Sequence, residues 1–228
     1  MENLLCDGFG IFSPWLKPTI VKLIVTGTAN CEQLRKRMEE KKGRIPITPE
    51  LLKLIKIKLK ASNMPRSRKR TVWLSVTFCW SGGFRIHEIL SRSSDEFDPT
   101  STLLYQDIRE TVTEVNGEML NTIRLNIKHP KEARLSAGII LDIFQIKGDL
   151  SWMCPIKAWR DWNKDKIIKS SASKPAIRMS SGLAYTGSQF NKDLKYLLST
   201  SIDYSKEQIT SHSFQSGLAS WMSKGALI

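Results

Sequence analysis

Two short segments of the sequence place anion-binding and acid–base side chains at the start of predicted helices. In residues 81–90, SGGFRIHEIL, a pair of glycines predicts a turn that sets Arg85 at the beginning of a helix, with Glu88 one turn further on. A guanidinium binds anionic oxygens through paired hydrogen bonds, and Glu88 can either hold that guanidinium or cap the helix. In residues 210–225, TSHSFQSGLASWMSKG, His212 and Gln215 share one helical face. A histidine in such a place can donate a hydrogen bond or transfer a proton.

Positive charge is concentrated in the first third of the chain. The 228 residues include 35 Lys and Arg against 22 Asp and Glu, a net charge of +13. Residues 1–70 hold 16 of the basic and 6 of the acidic residues. An excess held mostly in one part of a chain is typical of proteins with an anionic partner, usually nucleic acid. A solvated basic surface accounts for the charge equally well, so the charge alone leaves both interpretations open.

Composition excludes several other classes of protein. An apolar content of 41% is ordinary for a globular chain, and this length can bury the core of one sizeable domain. The four cysteines form no C-x-x-C pair and the three histidines are scattered, so we expect no metal and no cofactor, in a reducing compartment. No apolar stretch reaches the roughly 20 residues of a membrane span. Glu2 and Asp7 replace the basic start of a secretion signal, so we expect an intracellular protein, nuclear in a eukaryote and otherwise cytoplasmic.

Helical patterns occupy both ends of the chain. Residues 15–42 are mostly helical in pattern, and Thr48 predicts an N-cap with Pro49 at the first helical position. The basic segment 64–70 is predicted to be a loop, followed by a buried helix over 71–80 and a further helix over 84–92. The remaining helices are predicted after Pro155, after Thr186 and from about Ser211.

The middle of the sequence predicts a small antiparallel sheet. Residues 108–115 and 119–127 alternate in polarity and are joined by Asn116–Gly117, a strong hairpin signal because both residues accept a positive φ. A polar loop over 128–138 leads to a third strand at 139–144. The fold class is therefore mainly α (α+β), with three strands inserted between helices.

The order of these features resembles the catalytic domain of the tyrosine recombinases, the phage-integrase family, over roughly residues 45–228. Residues 82–90 resemble the family's G-x-x-R-x-x-E-x-L box, and residues 212–215, HSFQ, resemble its H-x-x-R box except at the last position. Asp107 matches an aspartate common before the first strand. Lys131 falls where the family carries a lysine in its hairpin turn, with Lys128 as the alternative. The details look most like the Crypton and DIRS-type mobile elements of eukaryotes.

The resemblance implies duplex DNA as the partner and a chemistry without metal. Such enzymes integrate or recombine DNA by attack of a tyrosine hydroxyl on a phosphodiester, and negative charge gathers on the phosphoryl oxygens. By resemblance, Arg85 clamps those oxygens, Lys131 protonates the leaving oxygen, and His212 acts as acid, base or hydrogen-bond donor. The resemblance also predicts DNA contacts by basic residues of the chain, namely Lys128, Arg66, Arg68, Lys69 and Arg70.

Two departures from the family pattern predict impaired catalysis. Gln215 stands in place of the second arginine, and the loss of a charged donor there costs several kcal/mol of barrier, roughly a hundredfold in rate. The family's nucleophilic tyrosine follows the second box, whereas all four tyrosines here precede His212. We therefore expect the chain to be inactive in isolation. Two explanations compete: a fragment of a longer protein, or else a decayed element copy or a retained non-catalytic module that binds DNA or a protein. Gln215 favours the second, because truncation alone would not replace an arginine.

The resemblance also divides the chain. Residues 1–44 are predicted to be the remnant of a helical core-binding domain with a basic linker, and residues 45–228 a catalytic domain truncated at its C-terminus. Family members self-associate through a C-terminal segment that we expect to be missing here. Taken singly, Arg85, His212 and Lys131 have ordinary explanations as capping, helix-start and solvated residues. The basic run 66–70 is equally typical of a nuclear-localisation patch, a phosphate-contacting loop or a solvated surface. Their joint order along the chain is what favours the recombinase interpretation.

Overall fold

The computed structural model describes residues 45–128, 138–164, 172–199, 209 and 212–223. The chain divides into two units, Met1–Lys42 and Gly43–Ile228, and every described residue lies in the second. The helix predicted over 15–42, the predicted remnant domain and Lys131 fall outside the described residues, so these expectations stay predictions. No helix in the described part of the chain is long and apolar enough to cross a membrane.

In the described part of the chain, helices flank one small sheet, as the sequence predicts. The helices are α1 (Pro49–Ala61), α2 (Arg66–Gly82), α3 (Ile86–Ile89), α4 (Pro155–Asn163), α5 (Gly187–Leu198) and α6 (His212–Ser223). The strands are β1 (Ile108–Val115), β2 (Glu118–Ile127) and β3 (Ile139–Phe144), and 3₁₀ turns at Tyr105–Asp107 and Gly148–Met153 precede and follow them. The predicted fold class, mainly α with a three-stranded antiparallel sheet, is confirmed.

Helix α1 forms where its cap and its apolar face predict it. The hydroxyl of Thr48 accepts a hydrogen bond from the backbone N–H of Leu51 at 3.4 Å, and Pro49 occupies the first turn, where its missing N–H has no helical acceptor to lose. One face of the helix is buried, and it carries Leu51, Leu52, Ile55 and Leu59. The short turn after Ala61 then brings the chain back along α2.

Helix α2 is the centre of the domain and packs against α1, α4 and α6. Its middle, from Thr71 to Trp80, is almost wholly buried. The polar side chains inside this stretch are satisfied: Ser75 donates to the Thr71 carbonyl at 2.9 Å, and the Thr71 hydroxyl accepts from the Trp162 indole at 3.1 Å. Satisfied hydroxyls allow a helix that is buried on nearly all sides.

The basic segment predicted to be a loop is helical instead. Helix α2 begins at Arg66, and the backbone N–H of Lys69 already donates to the Pro65 carbonyl at 3.0 Å. Cations at a helix N-terminus interact unfavourably with the helix dipole, so the local sequence of this segment predicts a loop. Burial of the apolar residues that follow stabilises the helix enough for it to begin at Arg66. The segment therefore holds its cations in fixed helical positions.

Helix α3 is much shorter than the predicted 84–92. It ends at Ile89 because Leu90 turns extended and Ser91 pairs with Thr186 in an isolated parallel bridge. Thr186 in turn caps α5 as predicted, since its hydroxyl accepts from the Gln189 N–H at 3.2 Å. A long-range bridge therefore stops a helix whose local sequence would let it continue.

The sheet has the predicted order and turn. β2 pairs antiparallel with β1 and with β3, and β2 begins one residue earlier than predicted, at Glu118. Asn116 and Gly117 adopt φ values of 52° and 79°, as their hairpin requires. One face of the sheet buries Ile123 and its cross-strand neighbour Ile143 in the core.

Helix α6 docks directly onto the backbone that precedes α1. The N–H of Ile47 donates to the Ser213 carbonyl at 2.9 Å, and the Ile47 carbonyl accepts from the Trp80 indole at 3.1 Å. A Cβ built at Gly217 would lie 2.1 Å from the Ile47 carbonyl oxygen, so only glycine permits this approach. The ring of Trp221 then packs on that of Trp80, with centroids 5.2 Å apart.

This contact makes Gly217→Ala a sharp test of the docking. We expect the variant to lose about 2 kcal/mol or more of unfolding free energy, because the methyl group meets backbone that cannot move aside. Urea unfolding followed by tryptophan fluorescence measures the change and reports on Trp221 as α6 shifts. Ser216→Ala, one position earlier on the same helix, is the control and should stay close to the parent. Equal stability of the two variants would contradict the docking described here.

Candidate nucleic-acid interface

The Gly82–Gly83 turn positions Arg85. Gly83 ends α2 in the left-handed conformation at φ 60°, and the N–H of Phe84 donates back to the Cys79 carbonyl at 3.2 Å. A residue with a side chain is strained in that conformation, so glycine closes the helix. The chain then leaves in an extended conformation, and Arg85 becomes the N-cap residue of α3.

Glu88 performs both of the functions that the sequence allowed it. Its Oε2 accepts from the backbone N–H of Arg85 at 2.8 Å, and its Oε1 lies 3.8 Å from the Nη1 of Arg85. The two side chains are 23% and 14% exposed. The guanidinium of Arg85 is thus held by a carboxylate on one side while part of it faces solvent. An anion approaching from solvent would share this guanidinium with Glu88.

Gln215 connects the second predicted box to the first. Its side-chain Nε2 donates to the Gly83 carbonyl at 2.9 Å. Leu218, one turn further along α6, lies against the same turn, with its Cδ2 3.2 Å from where a Cβ of Gly83 would be. The two segments singled out in the sequence therefore meet at the turn that carries Arg85, although Arg85 and His212 are 127 residues apart along the chain.

His212 lies at the exposed end of this arrangement. It is the first residue of α6, exposed to solvent and three positions before Gln215. The structure thus brings Arg85 and Gln215 to one turn and places His212 at the start of the same helix as Gln215. The catalytic roles expected for these residues stay predictions.

Lys128 forms an ion pair that the sequence did not reveal. Its Nζ lies 2.9 Å from Oδ2 of Asp107 and donates to the Pro99 carbonyl at 2.8 Å. The Asp107 side chain is 8% exposed and also accepts from the Leu104 N–H at 2.8 Å. Lys128 therefore fixes the end of β2 to the 3₁₀ turn that precedes β1. This structural role stands beside its predicted contact with DNA, and Lys131 lies outside the described residues.

The basic residues at the start of α2 differ in their surroundings. Arg68 makes a bidentate pair with Asp193 of α5, at 3.1 Å from Nε to Oδ2 and 2.7 Å from Nη2 to Oδ1. The hydroxyl of buried Tyr185 donates to the same carboxylate at 2.7 Å. Arg68 thus neutralises a buried carboxylate, whereas Arg66 is exposed and Lys69 donates to the Lys60 carbonyl at 2.8 Å.

The described tyrosines differ in what their hydroxyl groups contact. Tyr105 donates to the side-chain oxygen of Asn163 at 3.2 Å, and Tyr196 is exposed on α5. Burial, with the negative charge of Asp193 beside it, raises the pKa of Tyr185. Its hydroxyl is buried and donates to a carboxylate that Arg68 already neutralises, so Tyr185 is a structural residue. Tyr204 lies outside the described residues.

No group of three or more His, Cys, Asp or Glu side chains that could hold a metal ion occurs among the described residues. The Arg85 turn itself offers one partly exposed guanidinium, the carboxylate of Glu88 and one neutral amide, with an exposed imidazole on the adjoining helix. Such a set can bind an anionic oxygen, because the guanidinium supplies charge and paired donors.

Comparison with known proteins places this fold. No family model and no curated protein matches the sequence. Among solved structures, the chain is similar to the XerH site-specific recombinase, determined in a pre-cleavage complex with its difH substrate, with a TM-score of 0.53 and 12% sequence identity. The similarity covers 80% of this chain and 44% of that protein, so the chain spans less than half of its length. At this identity the likeness establishes the fold, and the fold is that of a tyrosine recombinase. The closer affinity to Crypton and DIRS-type elements stays a prediction.

The ion pair of Lys128 can be separated from its predicted role in DNA binding. We expect Lys128→Gln to lower the unfolding free energy by about 1 kcal/mol, because Asp107 is nearly buried and loses its counter-ion. A double-mutant cycle with Asp107→Asn, measured by urea unfolding, should show a coupling energy of similar size.

Lys147→Gln is the matched control, since its ion pair with Glu118 is largely exposed and should contribute almost nothing. If Lys128→Gln leaves stability unchanged and weakens DNA binding, the lysine is a phosphate contact and the structural role assigned to it is wrong.

Proposed function

We propose that this chain is a DNA-binding domain with a tyrosine-recombinase fold, derived from a mobile element, which holds a phosphate of duplex DNA at Arg85. The observation that carries the proposal is the hydrogen bond from Gln215 to the Gly83 carbonyl. It ties the start of α6 to the turn of Arg85, and so joins the two segments whose residue types match the recombinase boxes. The net charge of +13 favours an anionic partner, and the similar solved recombinase was determined with its own substrate bound.

The phosphate would be bound mainly by charge. A guanidinium forms two parallel hydrogen bonds with phosphate oxygens, which is stronger and more directional than a single ammonium contact. Glu88 competes for the same guanidinium and also fixes its direction, because the carboxylate is itself anchored on the Arg85 N–H. Lys131 and His212 are proposed to line the same pocket as donors.

Catalysis is proposed to be impaired at Gln215. The amide of Gln215 carries no charge, and one of its two hydrogens is already donated to Gly83. It cannot replace the second cation that would oppose charge developing on the phosphoryl oxygens, a deficit of roughly 3 kcal/mol in barrier. The contact favours a structural role for this side chain, which attaches α6 to α2.

A non-catalytic module is therefore the second candidate, and the same contact favours it. In this form the domain retains the fold and binds duplex DNA, or a protein, without cutting. The two candidates share the Arg85 site and differ in whether a covalent protein–DNA link ever forms. For either candidate function we propose a nuclear location if the host is a eukaryote.

The decisive experiment measures binding and covalent capture on a nicked suicide duplex over a salt series. We expect salt-sensitive binding and no covalent adduct from the parent or from Gln215→Arg. Arg85→Gln should weaken binding about fivefold to tenfold, because it removes the charged donor. Arg109→Gln, which removes an exposed arginine from the sheet, is the control for net charge.

Gln215→Met separates the lost hydrogen bond from the added charge of Gln215→Arg, and tryptophan fluorescence checks that both variants fold. A covalent adduct from the parent chain would overturn the claim of impaired catalysis. Equal binding by Arg85→Gln and Arg109→Gln would remove Arg85 from the proposed phosphate site.

A further inference from the structure

A basic groove lies at the opposite end of α2 from Arg85. It runs between the end of α1, the start of α2 and the side of α4, with a cavity volume of about 190 Å³. Five cationic side chains line it, from Lys56, Lys60, Arg66, Lys69 and Arg70. A cavity of this size is below the usual range for small-molecule sites, about 300–1,000 Å³. Its wall is mostly apolar and includes Leu59, Trp73 and the stems of these side chains, so an anion would be held by their charged ends and not enclosed by the cavity.

The charge in the groove is poorly compensated. Among the described residues, no carboxylate pairs with Lys60 or Arg66, and both are exposed. Asp161 is the one acidic residue that lines the groove, and its Oδ1 accepts from Lys164 at 2.6 Å. The exposed ends of Lys60 and Arg66 therefore present positive charge to solvent at this groove.

Part of this charge is held rigidly. Lys56 donates to the Trp152 carbonyl, and its Nζ lies 4.7 Å from the ring centroid of Trp73, which forms a wall of the groove. Burial, followed by the nearby charges of Lys60 and Lys157, lowers the pKa of Lys56. An anion in the groove would relieve this repulsion. Lys69 is fixed as well, by its bond to the Lys60 carbonyl.

The groove and the Arg85 turn are separated by the length of one buried helix. Helix α2 has 17 residues, and at a rise of 1.5 Å per residue it spans about 25 Å. The groove is thus a separate place on the molecule. Duplex DNA presents one charge for about every 1.7 Å of its axis, so a duplex lying along this distance offers phosphates at both ends.

We propose that this groove is a second phosphate-contact site, which binds the backbone of duplex DNA through Lys60 and Arg66 while the Arg85 turn holds a phosphate about 25 Å away. The inference rests on the proposed DNA-binding function and adds a second point of attachment to it. A duplex that reaches both contacts would be fixed in its direction on the domain, which a single contact cannot do.

The test compares two charge-matched double variants in DNA-binding assays over a salt series. Lys60→Gln/Arg66→Gln removes the exposed cations of the groove, and Lys192→Gln/Lys195→Gln removes two exposed cations of α5. We expect the groove variant to reduce the slope of log K against log salt by about 2, since each phosphate contact contributes about 0.9. The α5 variant should change the slope by less than about 0.5 on the same basis.

Lysine acetylation read by mass spectrometry gives a second measurement on the unmodified chain. DNA should protect Lys60 from acetylation and leave Lys192 and Lys195 reactive. The groove proposal is wrong if the slope is unchanged and Lys60 stays reactive while the parent binds DNA. If Arg85→Gln still weakens binding in that case, the proposed function stands. Protection of Lys60 by an acidic polypeptide and not by DNA would also overturn the groove proposal, in favour of a protein partner. Absence of DNA binding by the parent at low salt would overturn both proposals.

Discussion

The contact between helix α6 and the backbone of Ile47 is the constraint on which the rest of the site depends. Ile47 gives its N–H to Ser213 and its carbonyl to the indole of Trp80. Both groups of one buried residue are therefore satisfied by two helices that are distant in sequence. Gly217 allows the approach because no side chain intervenes. Once α6 is fixed here, the side chain of Gln215 donates to the Gly83 carbonyl and so holds the turn that carries Arg85.

Buried polar pairs complete the frame around α2. Arg68 and Tyr185 together satisfy the carboxylate of Asp193, whose side chain is only 4% exposed. Removing one partner of such a pair leaves a charge in a poorly hydrated place, which destabilises far more than the net contribution of the intact pair. These pairs link α2 to α5 at one end, as Gln215 links it to α6 at the other. Helix α2 thereby acts as the rigid axis that carries both candidate anion sites.

Much of this fold could be predicted from local sequence because local chemistry decides it. Thr48 and Pro49 specify a helix start, Asn116–Gly117 specifies a hairpin, and the alternation on either side of the hairpin specifies which residues face the core. The order of the two boxes predicted the fold of the domain. In each of these cases the determining atoms lie within a few residues of one another.

The wrong predictions and the missed contacts share a different physical cause. The start of α2 at Arg66 was missed because its cations disfavour a helix locally, and packing of the following residues overrides them. The end of α3 at Ile89 depends on a bridge from Ser91 to Thr186. The pair of Lys128 with Asp107 also joins distant positions. Contacts of this kind leave no local pattern, so the predicted roles of the site residues could not be separated from their structural roles.

The central claim is that DNA phosphate binds where α6 meets the Arg85 turn. The most direct measurement is an NMR titration of the isotope-labelled chain with a short duplex, observing the backbone amides of Gly83 and Arg85 and the side-chain amide of Gln215. The account predicts that these three signals shift together and saturate with one Kd. Saturable binding of the duplex with these three signals unmoved would contradict it.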